Sequence, residues 1–179
     1  MRRTLKVGTA MTILLGAAPA LADAKAPADA NPISQSITRG YERVKKNLLA
    51  AADEMPAEQY AFAPTPDVRT YGQLIGHVAD ASFMFCSAAK AEASPRKASI
   101  EKTITAKADL KKALTEAFAY CDAVYAASTD AALLQPIELF KNKMNRFAAL
   151  DINVAHDNEH YGNIVTYLRL KKLVPPSSQ

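Results

Sequence analysis

The chain has little histidine, cysteine or glycine, and each shortage narrows the reading. Of 179 residues, three are histidine and two are cysteine. Six are glycine, two of them within the first 22 positions. Scarce glycine beside abundant Ala, Leu, Lys and Glu in long periodic stretches favours helices throughout, and no strand signal interrupts them. No block of Lys and Arg occurs, so a nucleic-acid partner is disfavoured. No apolar run reaches the roughly 20 residues that a spanning helix needs, so stable membrane insertion is not expected.

What opens the chain is an address. Arg2, Arg3 and Lys6 form a positive start, an apolar run follows from residue 7 to about 18, and Ala20-Leu21-Ala22 is an A-x-A cleavage site. Residues 1–22 are therefore expected to be a cleaved signal peptide and the protein to be periplasmic or secreted. No cysteine stands directly after the cleavage site, which disfavours a lipid anchor. The whole chain carries 22 basic and 18 acidic residues; without the three in the signal, 19 against 18 leave a net charge of +1. Much of the apparent basicity belongs to the address. Residues 23–32, "DAKAPADANP", read as a disordered leader. Residues 33–176 then suit a single domain with one core.

The domain divides into four amphipathic segments. The first spans about 33–54, with Ile37, Tyr41, Val44, Leu48 and Ala52 at helical spacing and a stop before Pro56. A proline-rich loop follows, with one helical turn expected at 57–60. The second segment spans about 70–93, with Thr70 as N-cap and an inner stripe through Leu74, His77, Val78, Ala81 and Met84. The third spans about 107–128, with Leu110, Leu114, Phe118, Cys121 and Tyr125 inward. Residues 129–143 are apolar but contain Pro136, and are expected to be a loop covering a pocket. The fourth spans about 144–170, with Ile152, Ala155, His156, Ile164, Tyr167 and Leu168 inward. Four such helices imply an all-α four-helix bundle. The pair Cys86 and Cys121 is either a disulfide, as export would permit, or two small buried apolar side chains.

The three histidines concentrate the chemistry. His156 and His160 lie four apart, so on a helix they differ by about 40° and project from one face. Their Cβ atoms then lie about 5–6 Å apart, close enough for both rings to meet one metal through bonds of about 2.0–2.1 Å. His77, on the inner stripe of another helix, supplies a third imidazole. Bundle cores build metal sites from ligands on facing helices. Three neutral imidazoles leave an open coordination position, which is the arrangement of a catalytic centre. Zinc suits the donors best, with nickel, cobalt or iron as alternatives. Asp80 and Glu159 flank two of the histidines as candidates for orienting an imidazole or for acting as a general base; solvated helix charges are the plainer alternative.

Three stretches carry a family resemblance: "YGQLIGHVADASFMF", "AHDNEHYGNIVTYLRL" and the closing "LVPPSS". They resemble the DinB-like (damage-inducible) superfamily of YfiT-type metal-dependent proteins, over nearly all of the chain after the signal. The resemblance implies a four-helix bundle with one metal-binding histidine from the second helix and two from the fourth, matching His77, His156 and His160. Asn163 stands where the family usually has glutamine and keeps a hydrogen-bonding group beside the site. Characterised relatives include low-molecular-weight-thiol transferases and a thiol-dependent isomerase. The expected function is accordingly a metal-dependent hydrolase or thiol-dependent transferase acting on a small substrate, with a non-catalytic metal-binding stress protein as the alternative. A small molecule or thiol is the expected partner, with a homodimer left open. The string His-Asp-Asn-Glu-His also matches H-x-x-E-H of inverted zinc proteases, which need a further glutamate downstream. None of the 19 residues after His160 is acidic, so that reading fails.

Overall fold

In a computed structural model, residues 30–179 are described, and the expected signal peptide and most of the leader lie outside them. Four long helices form the bundle: α1 (Pro32–Glu54), α2 (Tyr71–Lys90), α4 (Lys107–Ala126) and α6 (Arg146–Leu170). Two four-residue helices, α3 (Ile100–Thr103) and α5 (Asp130–Leu133), stand in the connections. Each long helix packs on two others, in the ring α1–α4–α2–α6. The expected turn after α1 is a 3₁₀ turn at Ala57–Gln59.

Local sequence explains where the helices begin. Thr70 caps α2 through Gln73 N–H, and Gln73 returns a bond to Thr70 N–H, a complete capping box. Asn145 caps α6 at Ala148 N–H, 2.9 Å. The free amides at the start of α1 are met from a distance: Asp130 accepts from Ser34 N–H at 2.8 Å. Ala51, Ala52 and Met55 at the far end of α1 are buried, and their carbonyls find partners there. Tyr71 Oη donates to Ala51 O at 2.7 Å, Tyr60 Oη to Ala52 O at 2.6 Å, and Lys107 Nζ to Met55 O at 2.7 Å.

The core runs the length of the bundle through Tyr41, Leu48, Tyr71, Ile75, Leu114, Phe118, Leu150 and Ile164, all fully buried. Burying such a side chain stabilises the fold by about 1.5–3 kcal/mol. Tyr41 stacks on Tyr125 with ring centroids 4.0 Å apart, and its hydroxyl donates to Phe118 O. Cys86 of α2 is joined to Cys121 of α4, with Cα atoms 5.4 Å apart. Closing a 35-residue separation reduces the freedom of the unfolded chain by about 4 kcal/mol in the chain-entropy treatment.

Residues 129–143 differ from the expected loop. After α5 they form a hairpin, β1 (Pro136–Leu139) with β2 (Asn142–Asn145), antiparallel with Ile137 opposite Met144 and Leu139 opposite Asn142. Ile137 and Leu139 are buried, while Glu138 points outward opposite Lys143. The two turn residues, Phe140 and Lys141, both have left-handed φ, 53° and 63°. A two-residue turn of this kind ordinarily uses Asn-Gly or Asp-Gly, so the sequence carried none of the usual hairpin signal. The fourth helix starts at Arg146 instead of 144 because β2 occupies the residues before it. Along α6, Ala155 is exposed, whereas Asn153 and Asp157 are buried, so the inner stripe is more polar than expected.

Candidate metal centre

The packing of α2 against α6 brings His77 to face His156 and His160. Nε2 of His156 lies 3.1 Å from Nε2 of His77 and 3.1 Å from Nε2 of His160. The three rings thus converge through their Nε2 atoms. Two nitrogens each bonded at about 2.0–2.1 Å to one ion lie about 2.9 Å apart at a right angle and about 3.4 Å apart at a tetrahedral angle. Both separations from His156 fall between those limits, and the ligand nitrogens of all three rings lie within 4.8 Å of one another, a donor set that could hold one divalent ion. His160 is buried and the other two are half-buried.

The electrostatics favour neutral rings at His77 and His160, the form that binds metal. Burial lowers the His160 pKa to about 4, helped by the nearby His156 and His77. Burial also holds His77 below the ordinary imidazole value, although a hydrogen bond to Glu101 pulls the other way. That bond runs from His77 Nδ1 to Glu101 Oε2 at 2.9 Å. Arg69 Nε donates to the second oxygen, Glu101 Oε1, at 2.8 Å. Burial alone would raise the Glu101 pKa, but the hydrogen bonds from Arg69 and His77 outweigh it and hold the carboxyl below its usual value.

Other expected neighbours take different places. Asp80 touches none of the histidines; its carboxylate accepts from Ser99 Oγ–H, Ile100 N–H and Glu101 N–H at 2.8, 2.8 and 3.1 Å. Three residues beyond His77, it points to the start of α3 instead of along the imidazole. Glu159 is exposed and has no hydrogen-bond or ion-pair partner among the described residues, so it is a solvated helix charge. Asn163 is exposed, with Nδ2 3.4 Å from His160 Nδ1. With a metal on Nε2, His160 Nδ1 carries hydrogen, and rotating the Asn163 amide would present its oxygen instead.

Two carboxylates beside the rings escaped the sequence reading. Glu101 sits on α3, a helix too short to show periodicity. The one available signal was Gly76: a glycine inside a helix marks a close approach, and a Cβ there would lie 2.8 Å from Glu101 Cα. Asp157 is fully buried and its pKa is raised to about 6 by burial. Its Oδ1 lies 3.8 Å from His156 Nδ1, and neither atom has a hydrogen-bond partner among the described residues.

A cavity of about 600 Å³ opens beside His160, lined also by Val68, Arg69, Glu101, Asn163 and Tyr167. Its outer wall is the loop at residues 64–69, held by Tyr167 Oη donating to Arg69 O at 2.6 Å. The hairpin segment expected to cover the pocket lies elsewhere: Phe140 packs edge-on against Phe85, which packs in turn against the His156 ring.

Comparison with known proteins agrees with this architecture. The structure is similar to a DinB-like protein from Bacillus cereus, with a TM-score of 0.69 at 17% identity, over 79% of this chain and 95% of that one. A DinB-like protein from Bacillus subtilis gives a TM-score of 0.64 at 21% identity, over 80% and 99%. A mycothiol-dependent maleylpyruvate isomerase, as its H52A mutant, gives 0.61 at 10% identity, over 74% and 60%. These likenesses concern the fold. No curated protein matches the sequence. The DinB superfamily profile matches residues 41–164, which includes all three histidines, and the chain belongs to the DinB superfamily.

Proposed function

We propose that this is an exported metal-dependent enzyme that binds one divalent ion through Nε2 of His77, His156 and His160 and acts on a small substrate in the adjoining cavity. The observation that carries the reading is the convergence of three imidazoles from two helices, with His156 Nε2 3.1 Å from Nε2 of both His77 and His160. Zinc fits nitrogen donors of this kind best, with nickel, cobalt and iron as alternatives. Bound there, the ion supplies a Lewis acid that lowers the pKa of a water or a thiol. The chain's own residues hold the rings convergent and favour the neutral form of His77 and His160, while the loop at 64–69 walls the cavity. Hydrolysis or thiol-dependent transfer is the proposed chemistry, and the named thiol dependence of one structural neighbour supports the second.

Export is part of the proposal. It rests on the amino-terminal pattern and gains support from the Cys86–Cys121 bridge, since such bonds persist in oxidising compartments. No described helix is long and apolar enough to cross a membrane. The test is elemental analysis of protein purified without a histidine tag, followed by turnover assays with small esters and thiols. One equivalent of metal in the native protein, lost in His77→Ala and His156→Ala, is expected. Full occupancy in both variants would overturn the three-histidine site.

A further inference from the structure

We infer that Glu101 is a positioning residue for His77, and that Asp80 and Gly76 form the mount that holds it in place. This rests on the metal-binding reading of the histidines. His77 can bind metal at Nε2 only with that nitrogen bare. A neutral imidazole keeps one N–H, so the hydrogen must then sit on Nδ1. The Glu101 carboxylate accepts and cannot donate, and it lies 2.9 Å from Nδ1. It therefore selects the tautomer whose Nε2 lone pair faces His156 and His160. Carboxylates placed behind ligating histidines act in this way on ring orientation and basicity.

Glu101 needs a support because α3 has only four residues and would not persist alone. Asp80 supplies it. Its two oxygens take the Ser99 hydroxyl and the first amides of α3, at Ile100 and Glu101. Gly76 lets the Glu101 backbone press against α2, since a Cβ at 76 would overlap Glu101 Cα and N at 2.8 and 2.9 Å. Gly76, His77 and Asp80 thus share one rigid helix, and the distance from mount to ligand is fixed within α2. Arg69 completes the arrangement by holding Oε1, which leaves Oε2 for the imidazole. Asp80 acts on the metal centre through Glu101.

The test uses the purified protein with Glu101→Ala, Glu101→Gln and Asp80→Ala. Two quantities are read: the tautomer of His77 by ¹⁵N imidazole spectroscopy of metal-free protein at pH 8, and zinc affinity by chelator competition. Metal-free wild type should show His77 protonated at Nδ1. Glu101→Ala should lose this single tautomer and bind zinc about 10–100-fold more weakly. Glu101→Gln leaves one accepting oxygen for two donors, Arg69 Nε–H and His77 Nδ1–H, so it should keep the Nδ1 tautomer only in part and fall between wild type and Glu101→Ala in zinc affinity, an outcome that loss of packing alone would not produce. Asp80→Ala should shift both readouts in the direction of Glu101→Ala with the helical circular dichroism unchanged. Unchanged tautomer and affinity in Glu101→Ala would overturn the inference. If wild type takes up no zinc, the metal reading falls, and the tautomer measurement still decides whether Glu101 fixes His77.

Discussion

The two sides of the histidine cluster meet the same need in unlike ways. Behind His77, the ring nitrogen, both Glu101 oxygens and the Asp80 carboxylate all have partners, yet the region is half-exposed and built from a loop and a short helix mounted on Asp80 of α2. Behind His156, everything comes from the interior of the bundle and little is paired. His156 Nδ1, Asp157 Oδ1 and Asn153 Oδ1 are buried without hydrogen-bond partners among the described residues, and Asp157 Oδ2 has only a 3.4 Å bond from Asn153 Nδ2. Consecutive helix positions point about 100° apart, so Asp157 cannot meet its neighbour's ring squarely, and a 3.8 Å gap remains. The difference teaches that a carboxylate carried by another segment can be aimed at a ring, whereas one fixed beside it on the same helix cannot. A buried carboxylate without full pairing costs stability.

The comparison is broken most strongly by removing a ligand. His160→Ala should abolish stoichiometric zinc binding, read by chelator competition, whichever side supports its neighbours. Next comes the carboxylate on the buried side. Asp157→Asn removes a buried charge at neutral pH. Metal-free protein should gain about 1–3 kcal/mol, a rise in Tm of roughly 2–12 °C. Glu101→Gln on the exposed side should move Tm by no more than about 1–2 °C.

Acid dependence sharpens the same contrast. Asp157 has a folded pKa of about 6, above its ordinary 3.8, so its contribution is present at low pH and is lost as pH rises through about 6. His160 has a folded pKa of about 4, below its ordinary 6.5, so its contribution is present above 6.5 and is lost as pH falls toward 4. Between pH 4 and 6 the two oppose each other in metal-free wild type. In Asp157→Asn the dependences of His160 and of His77, which burial also depresses, remain and act in the same direction, and thermal melts should show stability falling steadily as pH drops across that window. A flat profile in the variant would contradict the assignment.

The smallest effect is expected at the hairpin. Lys141→Gly removes a side chain from a left-handed position and should stabilise the protein by about 1 kcal/mol in denaturant melts, with zinc affinity unchanged.

The sequence made the bundle legible because four long segments repeat apolar residues at helical spacing, and the three histidines fall on two of them. The spacing of His156 and His160 pointed to two of the three ligands directly, while His77 needed only its place on the α2 stripe. The supporting groups were harder to find because they belong to contacts between segments. Asp80 appeared beside His77 in sequence but reaches α3, and Glu101, 24 residues from His77, is the group that reaches the ring. Four residues of α3 show no period, and the Phe140–Lys141 turn carries no glycine to announce a hairpin. Asp157 escaped notice because a carboxylate is normally read as exposed, and this one is fully buried.

The most direct test of the central claim is anomalous diffraction at the zinc edge from zinc-soaked crystals. The account predicts a single strong peak about 2.0–2.1 Å from Nε2 of His77, His156 and His160 together. No peak among the three rings, or a peak bonded to fewer than three of them, would contradict it.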